Sequence, residues 1–200
     1  MEIPKVVKDL IEQLSSLPSI GPRQATRIAF YLASRNREIT PTLAQNITNL
    51  TKIKNCEECF FIFESEEKLC SICSNSNRKK NVLAIVEKET DLISIENTGK
   101  FNGHYLVLGQ IPRNGVLGEN QKYRLDVLKK FCEKQPGGVF EEIILAFNPT
   151  TTGNFNTTLI AKILSPLTKK ISRLGRGLPS GGEIEFADDE TLGEALRGRS

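Results

Sequence analysis

Residues 82–96 read VLAIVEKETDLISIE. Val82 to Val86 form a short run rich in branched residues, as in a strand covered on both faces. Glu87 follows at once, and "LISIE" has the look of a helix. The pattern recurs downstream. "HYLVL" (104–108) and "EIILAF" (142–147) read as buried strands, and "YRLDVLKKFCEK" (123–134) and "NTTLIAKILSPL" (156–167) read as helices. Strands alternating with helices predict a parallel sheet with crossover helices, an α/β fold class. "KKISRLGRGL" (169–178) supplies one more strand.

Upstream the texture is helical. Apolar residues at 6, 7, 10, 11, 14 and 17 make one stripe, and Ala25, Ile28, Ala29 and Leu32 resume it after a break at Pro18–Pro22. Pro41 is expected to start a third helix through Leu43, Ile47 and Leu50. Within the break, Gly21 can take the flanking conformation and Pro22 suits a first helical position. The amides that follow lack intrahelical partners, so they can bind an anion. Arg23 and Arg27 are four apart, hence on one face, and would ring a phosphate held there. An ordinary helical corner with solvated arginines would contain the same residues.

Between these regions lie Cys56-Glu57-Glu58-Cys59 and Cys70-Ser71-Ile72-Cys73. Each pair places two sulfurs on one ion from a tight knuckle, and two knuckles complete a tetrahedral site. Zinc is the default metal; a redox dithiol or an iron–sulfur cluster shares the spacing. Arg78, Lys79 and Lys80 follow and offset the charge of four thiolates. With all four places filled, such a centre is structural. Cys132, in a helical pattern, reads as a small buried apolar residue.

The 200 residues are 38% hydrophobic and 26% charged, with a net charge of +3, so any nucleic-acid site must concentrate its positive charge locally. Trp is absent and aromatics are 6%, which argues against base stacking as a main binding mode. No apolar run is long enough to span a bilayer, and the N-terminus lacks a signal core, so a cytoplasmic location is expected.

"LPSIGPRQATRI" (17–28) looks like a helix-hairpin-helix motif, with Ser19 where the motif usually has glycine. Together with the four-cysteine finger, "VLAIVEKETDLISIE", "ILAFNPTTTGN" (144–154) and "RGLPSGGEIEFADDETLGEALRGR" (176–199), the order resembles the RecR family of recombination mediators. The resemblance implies a helix-hairpin-helix domain (1–53), a zinc finger with one structural Zn2+ (54–79), a Toprim-like domain (80–174) and a C-terminal Walker-B-like segment (175–200). It also implies a DNA clamp without enzymatic activity, a homotetramer or dimer, acting with RecO and RecF in recombinational repair. Gly21, Arg23 and Arg27 would contact duplex or junction DNA through phosphates, without sequence preference.

Catalytic Toprim domains set a glutamate after the first strand and a pair of acids later, which hold magnesium through hard oxygen ligands. Glu87 matches the first position, and Asp91, one turn on, is placed to cap the next helix; both are candidates for partner binding. At the second position the family shows acids around a glycine, and here stand Thr152, Gly153 and Asn154. A nuclease or topoisomerase would need those carboxylates, and a topoisomerase also a nucleophilic tyrosine. Tyr31, Tyr105 and Tyr123 each read as structural. A further alternative is a zinc-ribbon adaptor that never encircles DNA. His104 begins a strand, while the resemblance places a histidine two positions later, where Leu106 stands. No G-x-x-x-x-G-K-[ST] loop accompanies the acidic tail residues Glu183, Glu185, Asp188 and Asp189, so ATP hydrolysis is not expected. That tail reads as a strand edge followed by a helix starting at 188–190, and as a subunit contact with Arg173, Arg176 and Arg197 as partners.

Overall fold

The computed structural model describes residues 2–112 and 114–199, with the side chains of all but 36–38, 136, 151 and 152. The chain divides into two compact units, one ending at Ile53 and one beginning at Lys54.

The first unit is helical. α1 (Lys5–Ser15) packs against α2 (Pro22–Asn49). Ala25 and Ala29, one turn apart on α2, are fully buried, and their small side chains let the two helices approach closely. The turn between them closes with the Ile20 amide donating to the Leu17 carbonyl at 3.2 Å. Ser19 sits in the left-handed region at φ +65°, which a side chain adopts only at a cost and glycine adopts freely. Gly21 is extended (φ −80°, ψ 166°), a conformation open to any residue.

Pro41 does not open a separate helix; it lies inside α2. The Thr40 hydroxyl donates to the Leu32 carbonyl at 3.3 Å, eight residues back. A straight helix would separate those residues by about 12 Å, so α2 bends sharply just before its proline.

The second unit begins with a short hairpin, β1 (Lys54–Asn55) paired antiparallel with β2 (Ile62–Phe63). A four-stranded parallel sheet follows: β3 (Lys79–Val86), β4 (Gly103–Val107), β5 (Glu142–Leu145) and β6 (Ile171–Arg173), in the order β4-β3-β5-β6. The crossovers are α3 (Glu89–Glu96), α4 (Glu119–Glu133) and α5 (Thr151–Leu164). Every residue of β4 is buried, as are Leu83 to Val86, which is why both strands read as continuous apolar runs. The chain leaves β3 toward one side of the sheet and returns past it to β5, so the topological switch lies between β3 and β5. Open parallel sheets bind ligands beyond the carboxyl ends of the strands at such a point.

The tail carries a single 3-10 turn (Ile184–Phe186) where a strand edge is expected from sequence. Only five residues separate Gly182 from the cap at Asp188, and no described strand lies alongside to pair with them. α6 (Asp189–Arg197) follows, capped by Asp188, whose Oδ1 accepts from the Thr191 amide at 2.8 Å.

Candidate nucleic-acid interface and metal centre

Arg23 and Arg27 occupy the first two turns of α2, both exposed, opposite the buried Ala25 and Ala29. No side chain caps this helix start, because the capping position is Gly21. A side chain built at Gly21 would meet nothing within 4 Å, so the approach to the helix end is open. Arg27 also lines a shallow depression of about 590 Å³ with Gln24, Ile28, Phe30, Tyr31 and Ser34. Tyr31 is half exposed, with the Arg35 guanidinium 5.7 Å above its ring. The result is a basic helix end with uncapped amides, chemistry that suits a phosphate.

The four cysteines converge. Their sulfurs all lie within 4.8 Å of one another, and all four residues are buried. Cys59 Sγ and Cys70 Sγ are 3.5 Å apart, and the Cys70 amide donates to Cys56 Sγ at 3.4 Å. A tetrahedral zinc with Zn–S near 2.3 Å needs sulfurs about 3.8 Å apart, so the set fits that ion. The crowded thiols cannot all ionise unaided. Hydrogen bonds from its neighbours, Cys59 foremost, hold Cys56 far below the ordinary thiol range. Those same contacts, Cys56 foremost, push Cys59 and Cys73 far above it. A divalent cation removes the conflict by accepting four thiolates at once. The finger is not a detached module: its cysteines share one apolar core with Leu83, Ile85 and Leu106, and the Val107 amide donates to the Cys59 carbonyl at 2.8 Å.

Arg78 belongs to this junction rather than to the cysteines. Its side chain is 8% exposed, and its guanidinium holds Glu96 through two hydrogen bonds of 2.6 and 2.9 Å. Nε donates to the Gly103 carbonyl at 2.8 Å. Tyr105 completes the group, its hydroxyl donating to Glu96 at 2.9 Å. The bonds from Arg78 draw the Glu96 carboxyl below its ordinary range, while burial, then Glu96, raises the Tyr105 phenol. Tyr105 is therefore a bound structural phenol, and Tyr123, in the second turn of α4, stands edge-on to Phe60 at 5.8 Å.

His104 is 2% exposed and stacks on Phe131 with ring centroids 5.8 Å apart. Burial, followed by the charges of Lys80 and Arg78, lowers its pKa and keeps the ring neutral. Its Nε2 is sealed from solvent with no hydrogen-bond partner among the described residues. Sequence reading gave this histidine no role; its burial beside the finger carried no signal in the pattern of residues. Cys132 is buried in α4 and donates to the Gly138 carbonyl at 3.2 Å, away from the four-sulfur cluster.

At the switch point of the sheet, Glu87 follows β3 and is nearly buried. Asp91 closes a capping box, accepting from the Lys88 amide at 3.1 Å. Beyond β5, Thr150 caps α5 by accepting from the Gly153 amide at 3.1 Å. Gly153 lies so close to the Asn148 carbonyl that a Cβ there would sit 1.9 Å from its oxygen. The side chain of Thr152 lies outside the described residues. Asn154 Oδ1 accepts from Arg176, and Arg176 also pairs with Glu190 on α6 at 3.2 Å. Among the described residues the carboxylates of Glu87, Asp91 and Glu190 do not converge as a group of three, and a guanidinium stands on Asn154, an arrangement that does not suit magnesium.

The ion pairs of the tail form within the chain. Besides Arg176–Glu190, Arg197 pairs with Glu194 at 2.6 Å, one turn back on α6. No described helix is long and apolar enough to cross a membrane.

Comparison with known proteins agrees along the whole chain. Residues 7–51 match the model for the RecR helix-hairpin-helix, 81–175 the Toprim domain, and 177–200 the RecR C-terminal region. The recombination protein RecR of Dehalococcoides mccartyi (strain 195) is 39% identical over 196 residues, covering 96% of this chain and 93% of that protein. RecR of Frankia casuarinae is 37% identical, covering 97% and 96%, and RecR of Chloroherpeton thalassium is 35% identical with the same coverage. A helix-hairpin-helix unit, a buried four-cysteine cluster and a Toprim sheet, in that order and with these relatives, place the chain in the RecR family.

Proposed function

We propose that this protein is a DNA-binding clamp subunit in recombinational repair, without catalytic activity of its own. In this reading residues 1–53 carry the DNA-binding helix-hairpin-helix, 54–79 a finger folded on one structural zinc, 80–174 the Toprim-like domain and 175–200 its C-terminal segment. The chain works in the cytoplasm as a homo-oligomer, a tetramer or a dimer, alongside RecO and RecF. Glu87 and Asp91 contribute to the partner-binding edge. The observation that carries the reading is the exposed pair Arg23 and Arg27 beside the uncapped start of α2, in the segment that matches the RecR helix-hairpin-helix.

Phosphates of duplex or junction DNA would dock on the α2 amides near Gly21, with the two guanidinium groups on either side. Such contacts are blind to sequence and release counterions, so affinity falls steeply with salt. Zinc, when bound, supplies no chemistry beyond cross-linking the two knuckles. The absence of a converging carboxylate group among the described residues near Glu87, and the Asn154–Arg176 contact, support a reading without magnesium-dependent cleavage.

The test is a DNA titration at several salt concentrations with the Arg23→Ala, Arg27→Ala double variant, alongside mass measurement. Two lost phosphate contacts should flatten the log-affinity against log-salt slope by roughly 1.8 for each chain that touches duplex DNA. Fold and assembly should be unchanged, because both side chains are exposed. Unchanged affinity and slope in a folded, oligomeric variant would refute the interface.

A further inference from the structure

We propose that His104 is a positioning residue for the metal centre, donating its ring N–H to the Cys73 thiolate from outside the coordination sphere. The proposal rests on the reading of the four cysteines as a zinc site. A ring nitrogen of His104, Cys73 Sγ and a carboxylate oxygen of Glu58 all lie within 4.8 Å of one another. His104 and Cys73 are buried, while Glu58 is only partly so and lines a groove of about 940 Å³ beside the finger.

The four sulfurs are not equally served. Cys56 Sγ accepts the Cys70 amide, and the Cys73 amide favours the Cys70 thiolate. Among the described residues no backbone amide is hydrogen-bonded to Cys73. A metal-bound thiolate retains lone pairs and accepts hydrogen bonds, and such outer partners fix ligand orientation and metal affinity. Glu58 is in hydrogen-bonding contact with the Cys73 side chain, but a carboxylate facing a metal-bound thiolate has only acceptors and cannot serve that sulfur. A neutral imidazole has one N–H to give, and Nε2 of His104 has no hydrogen-bond partner among the described residues. A buried imidazole with an unpartnered nitrogen calls for an explanation, and the Cys73 thiolate beside the ring supplies it.

The arrangement also ties the finger to the sheet. His104 sits at the start of β4, paired in register with Leu83 of β3, and its ring is held against Phe131 of α4. Rotation of the second knuckle is thus referred to the rigid centre of the fold, whereas the first knuckle is tied through the Cys59 carbonyl to Val107.

The experiment uses the full chain with zinc, and with cobalt(II) as a spectroscopic probe, in wild type, His104→Phe and His104→Gln. Phenylalanine keeps a planar ring against Phe131 and removes the N–H; glutamine restores a donor at similar reach. Competition against a chromophoric chelator should show one zinc per wild-type chain, bound 10- to 100-fold more weakly in His104→Phe (about the range for loss of such a partner), with substantial recovery in His104→Gln. The cobalt spectra of all three should retain a tetrathiolate pattern, and the metal-free proteins should melt alike. Unchanged zinc affinity in a folded His104→Phe chain overturns the role while leaving the zinc site intact. A cobalt spectrum that loses a nitrogen ligand in His104→Phe, or a second zinc that disappears with the histidine, overturns it by making His104 a ligand. A wild-type chain that binds no zinc removes the metal site itself, and this role with it.

Discussion

The junction of Arg78, Glu96 and Tyr105 allows a stability effect to be worked from geometry. Replacing Glu96 by glutamine keeps size and shape but removes the charge that two Arg78 nitrogens share at 2.6 and 2.9 Å. One amide oxygen can still accept; the amide nitrogen faces a donor. A hydrogen bond to a charged group is worth about 1.5–3 kcal/mol. Glu96 is one-third exposed, which places the expected loss at the lower end, about 2 kcal/mol. Arg78→Met keeps the aliphatic stem, removes the fork and leaves the Gly103 and Phe101 carbonyls without this donor, for about 3 kcal/mol. A double-mutant cycle by urea unfolding, followed by circular dichroism, should give a coupling of about 2 kcal/mol. In thermal melts the glutamine variant should fall by about 4–8 °C. Because Arg78 depresses the folded-state pKa of Glu96, its contribution is complete above the unfolded carboxyl value, about 4.3, and is lost as pH falls through the lower folded value. A coupling below about 0.3 kcal/mol at pH 7, or one that persists after Glu96 is protonated, would refute this account.

Two further outcomes follow from the geometry. Cys70→Ser should remove one of four metal ligands and loosen residues 52–80, seen as loss of bound zinc by elemental analysis and faster amide exchange in that segment; full zinc retention would contradict the proposed centre. Gly153→Ala should cost at least about 1 kcal/mol, because its Cβ would meet the Asn148 carbonyl oxygen at 1.9 Å and must displace the start of α5; a melting point equal to wild type would show that the turn yields freely.

Much of this architecture is legible from residue pattern because the strands are buried on both faces. Val82–Val86, His104–Leu108 and Glu142–Phe147 announce themselves as short branched runs, and paired cysteines announce a knuckle. What escapes the pattern depends on contacts between distant residues. Proline normally ends a helix, yet α2 passes through Pro41 because the bend before it is bridged by Thr40 and Leu32. The tail alternation Glu183–Ala187 has strand periodicity but no neighbouring strand, and alternation without a neighbour yields a turn. Ser19 is placed correctly as the departure from a glycine motif, and its positive φ shows what glycine would relieve. Nothing local marks His104, whose meaning comes from Cys73, more than thirty positions away in the chain, folding against the same strand.

β4 is the outermost strand of the parallel sheet, yet it is buried throughout, and the backbone that lies against its free side is that of the finger, at Cys59. An uncovered terminal strand with this sequence, Gly-His-Tyr-Leu-Val, is a template onto which other chains can add. The knuckles therefore act as a stopper on a sticky margin. With the four cysteines read as the proposed zinc site, the soluble yield of this protein should track the metal supply during its synthesis.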